Sequence, residues 1–372
     1  MRSYRYVKSE TALVNEVLKA AGGKQNILVF NDEAHHAYRI RQPEANENGE
    51  ENGDGADEEF YKEATVWIDG LDKTHKLRGI NFCVDLSATP YYLGRVGQAT
   101  NRIFPWTVSD FGLTDSIESG LTKIPQLVVT DTTGEKPPAY FNIWRWVLNK
   151  LTPGERGGRR ESPKPEAVLK YADAPIKILG GRWEKMLADW KRDRPEDPRP
   201  PVFIVVCKNT AIAKVIYQWL GESESPNASI APAGIAGFRN TDEVKHTIRV
   251  DSKVIAESDD LENAKNDETK WMRFTLDTVG KRDWTIGAQG RPVYPEGFEE
   301  LANKLKRPLH PPGRDVRCIV SVGMLTEGWD CNTVTHIVGL RPFMSQLLCE
   351  QVVDEDCAAP VTSRSRRTVS NC

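Results

Sequence analysis

Ile27-Leu28-Val29-Phe30-Asn31-Asp32-Glu33-Ala34-His35-His36 is the stretch on which the reading of this chain turns. Its first four residues are apolar without polar alternation, which suits a strand buried on both faces of a parallel sheet. Asp32 and Glu33 follow at once, and His35 and His36 lie just beyond. In open α/β sheets, ligands bind outside the carboxyl ends of the strands. A strand that delivers Asp-Glu there is placed to hold Mg²⁺ and orient water beside a phosphate. One carboxylate holds the ion, largely through its hydration shell, because Mg²⁺ dehydrates reluctantly. The other aligns the attacking water or accepts its proton. For Asp-Glu alone, a turn capped by acidic residues is the simpler reading; the full string is far more specific.

Working outward, the same pattern of apolar strand and helix repeats. Thr11 to Ala21 has apolar residues at helical spacing and ends at Gly22-Gly23. Phe60 to Leu77 reads as a helix, and Ile80 to Leu86 as a second buried strand running into Ser87-Ala88-Thr89-Pro90. Val202 to Cys207 is a third apolar strand, followed by a helix over Thr210 to Leu220. Thr247 to Val250, Val316 to Val322 and Thr335 to Leu340 read as further strands, and Ser345 to Val353 as a helix. The alternation predicts an α/β fold with parallel sheets in two lobes. Residues 1–130 form the expected first lobe, closed by Gly120 to Ile124 and left through a short strand at Gln126 to Thr130. Residues 131–200 read as a connector carrying helices over Tyr140 to Leu151 and Ala174 to Trp190. The second lobe spans 201–353, interrupted by a polar insertion at 238–312.

At 372 residues the chain can hold two domains of ordinary size. A net charge of −3 and a pI near 6.2 give no global nucleic-acid signature, so any DNA contact must be local. Mean hydropathy of −0.51 and the lack of a long apolar run exclude a membrane-spanning helix. The first residues, MRSYRYVKSETALV, do not read as a signal peptide, so a cytoplasmic protein is expected. Seven cysteines are scattered without a CxxC pair, which argues against a zinc site; Cys83, Cys207 and Cys318 read as buried free thiols. Pro43 to Glu59 holds eight acidic and no basic residues and reads as a disordered insertion, without the spacing of a calcium loop. Gly22-Gly23-Lys24 follows a helix and precedes a strand, the reverse of a phosphate loop, and no G-x-x-x-x-G-K-[ST] occurs. Asp110-Phe111-Gly112 lacks the other kinase elements and reads as a helix start. The basic run Arg156 to Arg160 reads as a solvated loop or, alternatively, a phosphate contact.

Asp32-Glu33-Ala34-His35 resembles the Walker B box, motif II, of superfamily 2 helicases. Ser87-Ala88-Thr89-Pro90 resembles motif III, and Thr326-Glu327-Gly328-Trp329-Asp330 resembles motif V, in the family's order. The wording NDEAHH, DLSATP, LTEGWDCNTVTHIVGLRPF and SQLLCEQVV is most similar to the helicase subunit of type III restriction enzymes, over residues 1 to 353. The resemblance implies two RecA-like lobes, ATP and Mg²⁺ as cofactors, and double-stranded DNA as partner, with a methyltransferase or specificity subunit alongside. It also implies roles. Asp32 would hold Mg²⁺, Glu33 would activate water, and His35 or His36 would relay nucleotide state. Ser87 and Thr89 would couple the ATP site to lobe movement. Thr326, Glu327 and Gly328 would contact the nucleic-acid backbone, Asp330 the nucleotide sugar, and Gln351 would open motif VI and face motif II. A mononuclear metal hydrolase using the same carboxylates and histidines is a rival reading; it lacks a remote ligand cluster.

Motif VI departs from the family pattern. After Gln351-Val352-Val353 the family continues Gly-Arg-Gly-Leu-Arg-Arg, whereas this chain has Asp354-Glu355-Asp356-Cys357-Ala358-Ala359. Phosphoryl transfer rests on positioning and electrostatics, and an arginine finger is worth about 10³ to 10⁵ in rate. Without it and without Walker A, the expectation is a truncated motor inactive by itself, with a neighbouring chain that carries the phosphate loop as a candidate partner. The alternatives are a non-catalytic nucleic-acid-binding or assembly module and a non-functional remnant. The codons GTC GGA CGA GGA CTG CGC CGC C encode the family sequence from the valine on. Deleting one G from the second codon gives GTC GAC GAG GAC TGC GCC GCC, which encodes Val353 to Ala359 as found here. A frameshift is therefore expected at this point, with a disordered tail over 354–372.

Overall fold

A computed structural model of the chain describes residues 9–32, 34, 55–87, 106–124, 134, 142–157, 162–241, 243–251, 267–322 and 331–341, the side chains of 10, 55–65 and 113 excepted. The protein is mixed α/β, with two sheets of parallel strands. It divides into two compact units, residues 1–112 and 113–372.

In the first unit the opening apolar run forms β1 (Ile27–Asn31) and the second forms β2 (Ile80–Asp85). They pair in parallel, with Leu28 opposite Phe82, Phe30 opposite Val84 and Asn31 opposite Asp85. Parallel neighbours need a long crossover, and it contains α2 (Gly55–Arg78). A shorter helix, α1 (Glu10–Val17), precedes β1, with the Ser9 hydroxyl accepting from the Ala12 amide at 3.2 Å. Two expectations are corrected here. The strands are not buried on both faces: Leu28, Phe30 and Phe82 are 55%, 68% and 63% exposed, while Asn31 on the other face is buried. Among the described residues no third strand joins this pair, and in its register Leu28, Phe30 and Phe82 share the face that turns outward. Helix α2 also begins at Gly55 rather than Phe60, inside the acidic stretch. Residues 43–54 lie outside the described residues.

In the second unit, β3 (Val202–Cys207), β4 (Thr247–Val250), β5 (Cys318–Val322) and β6 (Val334–Leu340) form one parallel sheet in the order β4-β5-β3-β6. Every residue of β3 is buried. Phe203, Val205 and Cys207 enter a core shared with helices α4 (Ile143–Lys150), α6 (Pro165–Asp193) and α7 (Thr210–Gly221). Val202, Ile204 and Val206 enter a second core with Ile248, Val250 and Val279. That two-sided burial explains the unbroken apolar run of this strand. Numbering in between, α3 is Leu113–Glu118 and α5 is Pro153–Arg156.

The helices expected as a connector belong to this core. Ile143, Trp144 and Val147 of α4 are buried, as are Val168, Leu169, Ala172, Ile176 and Trp183 of α6. Helix α6 starts at Pro165, nine residues before the expected Ala174, and runs through Pro175. A proline inside a helix costs about 3 kcal/mol in isolation; here Ala172, Pro175, Ile176 and Gly180 are all buried, and the packing offsets it. Trp183 donates its indole N–H to the Pro201 carbonyl at 2.9 Å and packs on Phe238 at 4.4 Å between ring centres. Residues 120–124, expected to close the first lobe, are tied to the second unit: Lys123 Nζ donates to the carbonyls of Asn332 and Val334 at 2.8 and 2.7 Å.

The expected insertion at 238–312 is likewise structural. It supplies β4 and two helices, α8 (Asp267–Leu276) and α9 (Phe298–Leu305), and places Ile248, Val250 and Val279 in the second core. The turn after it, Pro312–Asp315, lies so close to the end of α8 that a side chain at Gly313 would collide with the backbone of Thr275, Thr278 and Val279. Among the described residues no helix is long and apolar enough to cross a membrane. The expected strand at 126–130, the helix at 345–353 and the tail at 354–372 lie outside the described residues.

Candidate functional site

The first unit brings two of the sequence boxes to one sheet edge. Because β1 and β2 are parallel and Asn31 stands opposite Asp85, both strands end together. The pairing continues past the strands: Leu86 N donates to Asn31 O, and Ala34 N donates to Leu86 O, each at 2.9 Å. Asp32, exposed, and Ser87, half-buried, therefore leave neighbouring strands at the same end. Glu33, His35, His36 and Thr89 lie outside the described residues.

A residue missed in the sequence reading holds this end together. Asn31 is 5% exposed and donates through Nδ2 to Asp85 Oδ1 at 3.1 Å, while its Oδ1 accepts from Trp67 Nε1 at 2.8 Å. A buried amide with both ends bonded is cheap, and one left unbonded is not. The only hint in the sequence was an asparagine closing an apolar strand. Asp85 Oδ1 also accepts from the Cys83 thiol at 3.3 Å. Partial burial, then the Asp85 carboxylate, push that thiol up to about 11. Cys83 is exposed rather than buried as expected, whereas Cys207 and Cys318 are buried, and burial holds both thiols far above the usual range.

For Mg²⁺, the described residues contain no group of three or more His, Cys, Asp or Glu. Asp85 is engaged by Asn31 and Cys83; Asp32, the residue expected to hold the ion, is exposed just past the strand. One carboxylate suits an ion that keeps most of its waters and is otherwise held by substrate phosphate.

In the second unit, α7 follows β3 on the face of the first core, while α8 lies between β4 and β5 on the face of the second. β3 and β5 are parallel neighbours whose carboxyl ends lie side by side, Cys207 opposite Val322, the kind of edge at which open α/β sheets bind ligands; the connection that leaves β5, residues 323–330, lies outside the described residues. At the end of β3, Lys208 N donates to Leu340 O at 3.0 Å, and Asn209 caps α7 by accepting from Ile212 N at 2.9 Å. β5 ends at Val322, directly before the segment that contains Thr326, Glu327, Gly328 and Asp330. Those four residues and Gln351 lie outside the described residues.

Other polar groups in this unit are structural. Arg199 donates to the Asp197 carboxylate at 2.7 Å and to Gly280 O at 2.9 Å, and its guanidinium holds Asp197 below the usual carboxylate range. His336 lies on Phe203, ring centres 5.6 Å apart; burial, with Arg182 nearby, lowers it to about 4. From the basic run at 156–160, Arg156 donates to the Leu148 carbonyl at 2.6 Å, a helix-end contact, and 158–160 lie outside the described residues. A cleft of about 410 Å³ opens beside Met186, Trp190 and Thr335. Its cations are engaged, Lys123 by two carbonyls and Arg194 by the Trp190 ring at 4.0 Å. No protein-family model matches the chain, and no curated protein matches it.

Proposed function

We propose that this chain is the two-lobed, RecA-like core of an ATP-dependent DNA helicase or translocase subunit of the type III restriction kind, acting in the cytoplasm and hydrolysing no ATP by itself. The observation that carries the proposal is the parallel pairing of β1 with β2, in which Asn31 stands opposite Asp85 and Ala34 N bonds to Leu86 O. DEAH and SATP, distant in sequence, thereby leave one sheet edge together, as a nucleotide site coupled to a second box requires. The neighbouring carboxyl ends of β3 and β5, with Thr326 to Asp330 next in sequence after β5, support the same reading.

In this reading Asp32 holds Mg²⁺, and the bound ion would neutralise phosphate charge. Glu33 accepts a proton from water; His35 and His36 carry the state of the site onward; Ser87 and Thr89 transmit it. Thr326, Glu327 and Gly328 meet the DNA backbone, Asp330 the sugar, and Gln351 faces the DEAH box. The phosphate cradle has no counterpart in these 372 residues, and acids stand at 354–356 in place of arginines. A neighbouring chain that carries a phosphate loop, or a methyltransferase subunit, is the implied partner. The same two departures favour a second reading, a nucleic-acid-binding module without a motor.

Duplex DNA binding with and without a non-hydrolysable ATP analogue tests the proposal, together with ATP turnover of wild type and Glu33→Gln. A shift in DNA affinity with the analogue, and no turnover in either protein, is the expected result. DNA binding indifferent to nucleotide favours the module, and turnover that depends on Glu33 overturns the claim of inactivity.

A further inference from the structure

The segment between β4 and β5 contains a short antiparallel ribbon for which the motor reading has no use. Ile286 bridges Pro292, Gly287 N donates to Arg291 O at 2.9 Å, and Val293 N donates to Thr285 O at 2.8 Å. The turn closes at Gly290, with Gly290 N bonded to Gly287 O and φ at +73°, a conformation glycine adopts without strain. The base of the ribbon is anchored. Trp284 donates to Leu309 O at 2.6 Å and packs on the buried Phe298 at 4.7 Å, with Tyr294 5.8 Å from the same ring. The tip is not: Ile286 and Val293 are 59% and 56% exposed. Side chains alternate along a ribbon, so Arg291 and Val293 share one face, and Trp284 and Ile286 the other.

Charge is one-sided here. Between 281 and 293 three cations, Lys281, Arg282 and Arg291, stand against one carboxylate, Asp283, which pairs with Arg282 at 3.3 Å. Lys281 and Arg291 are exposed and make no ion pair among the described residues. A two-stranded ribbon is one of the few shapes that fits the major groove of duplex DNA. An anchored ribbon loses little freedom on binding, and cations at its base and side reach phosphates.

We infer that the 285–293 ribbon is a duplex-DNA contact, with Lys281, Arg282 and Arg291 on phosphates and the exposed Val293, which shares a face with Arg291, against the groove. The inference rests on the reading of the chain as a DNA-acting protein, and names a surface outside its sequence boxes. Each phosphate contact on duplex DNA contributes about −0.9 to the slope of log affinity against log salt. The test is fluorescence anisotropy of the full chain with a labelled duplex from 50 to 200 mM salt, repeated with a single strand. Lys281→Ala/Arg282→Ala/Arg291→Ala is expected to flatten the duplex slope by about 2 to 3 and weaken binding at low salt roughly tenfold or more. Val293→Ser, which keeps the charges, should weaken duplex binding without changing the slope. Circular dichroism identical to wild type confirms that both variants fold. An unchanged slope and affinity in the triple variant overturns the ribbon but leaves the motor reading standing. DNA binding that fails in the triple variant yet never responds to nucleotide supports the ribbon and overturns the motor. A wild type that binds no duplex, or binds only single strands, overturns the ribbon outright.

Discussion

Replacing Trp183 by alanine should unlock the second unit. The side chain is fully buried, donates to Pro201 O at 2.9 Å, and contacts Phe238, which itself packs on Phe203 of β3 at 5.2 Å. Truncating a buried aromatic residue typically costs about 3 to 5 kcal/mol. Part of this is the indole bond, whose loss costs about 1 kcal/mol and leaves a buried carbonyl without a partner. Trp183→Ala should therefore lower stability by about 4 kcal/mol, and Trp183→Phe, which keeps a ring on Phe238 but no donor, by about 2 kcal/mol. Arg192→Ala is the control on the same helix: its bonds to Asp189 and Asp193 are exposed, and its loss should leave stability close to that of wild type. Amide hydrogen exchange in Val202–Cys207 and Cys318–Val322 reads the opening free energy of the sheet itself, where a bulk melt would mix the two units. A change below about 1 kcal/mol in Trp183→Ala would refute the claim that α6 is part of this core.

Three further outcomes follow from the geometry. His336 titrates near 4 when folded, below its unfolded value of about 6.5, so the unfolded chain binds the extra proton; stability should fall by about 3 kcal/mol as pH drops through that window, and His336→Gln should remove this part of the acid slope. At neutral pH Cys83, with its thiol near 11, carries about a hundredfold less thiolate than a free thiol near 9; its greater nucleophilicity recovers part, leaving alkylation roughly tenfold slower, and a rate equal to free cysteine would contradict the Asp85 contact. The outward face of the first sheet, Leu28, Phe30 and Phe82, should drive self-association; Phe30→Lys/Phe82→Lys should reduce it in light scattering, and a wild type already monodisperse at high concentration would sink the idea.

Sequence alone determined where strands could be. Val202 to Cys207 and Thr247 to Val250 were readable to the residue, because a run of branched and aromatic side chains is a local property of the chain. The order of DEAH, SATP and TEGWD was equally open to reading, as was the absence of a phosphate loop. Tertiary structure decided what each run faces. β1 and β3 are alike as strings, yet β3 lies between two cores, with α4, α6 and α7 on one face and Met272, Leu276 and Val279 on the other, whereas Leu28 and Phe30 of β1 are exposed. Helix α6 begins nine residues before the expected Ala174 and runs through Pro175, because the local penalty of a proline says nothing of the buried contacts that outweigh it. The segment at 238–312 looked like an insertion because its polar stretches dilute the few apolar residues that reach the core. Asn31 escaped notice for the same reason: its partners, Trp67 and Asp85, are 36 and 54 residues away. Lys123 is bonded to a strand edge 211 residues on. Bonds of that span are fixed only when the sheet closes, and no local pattern in a chain can announce them.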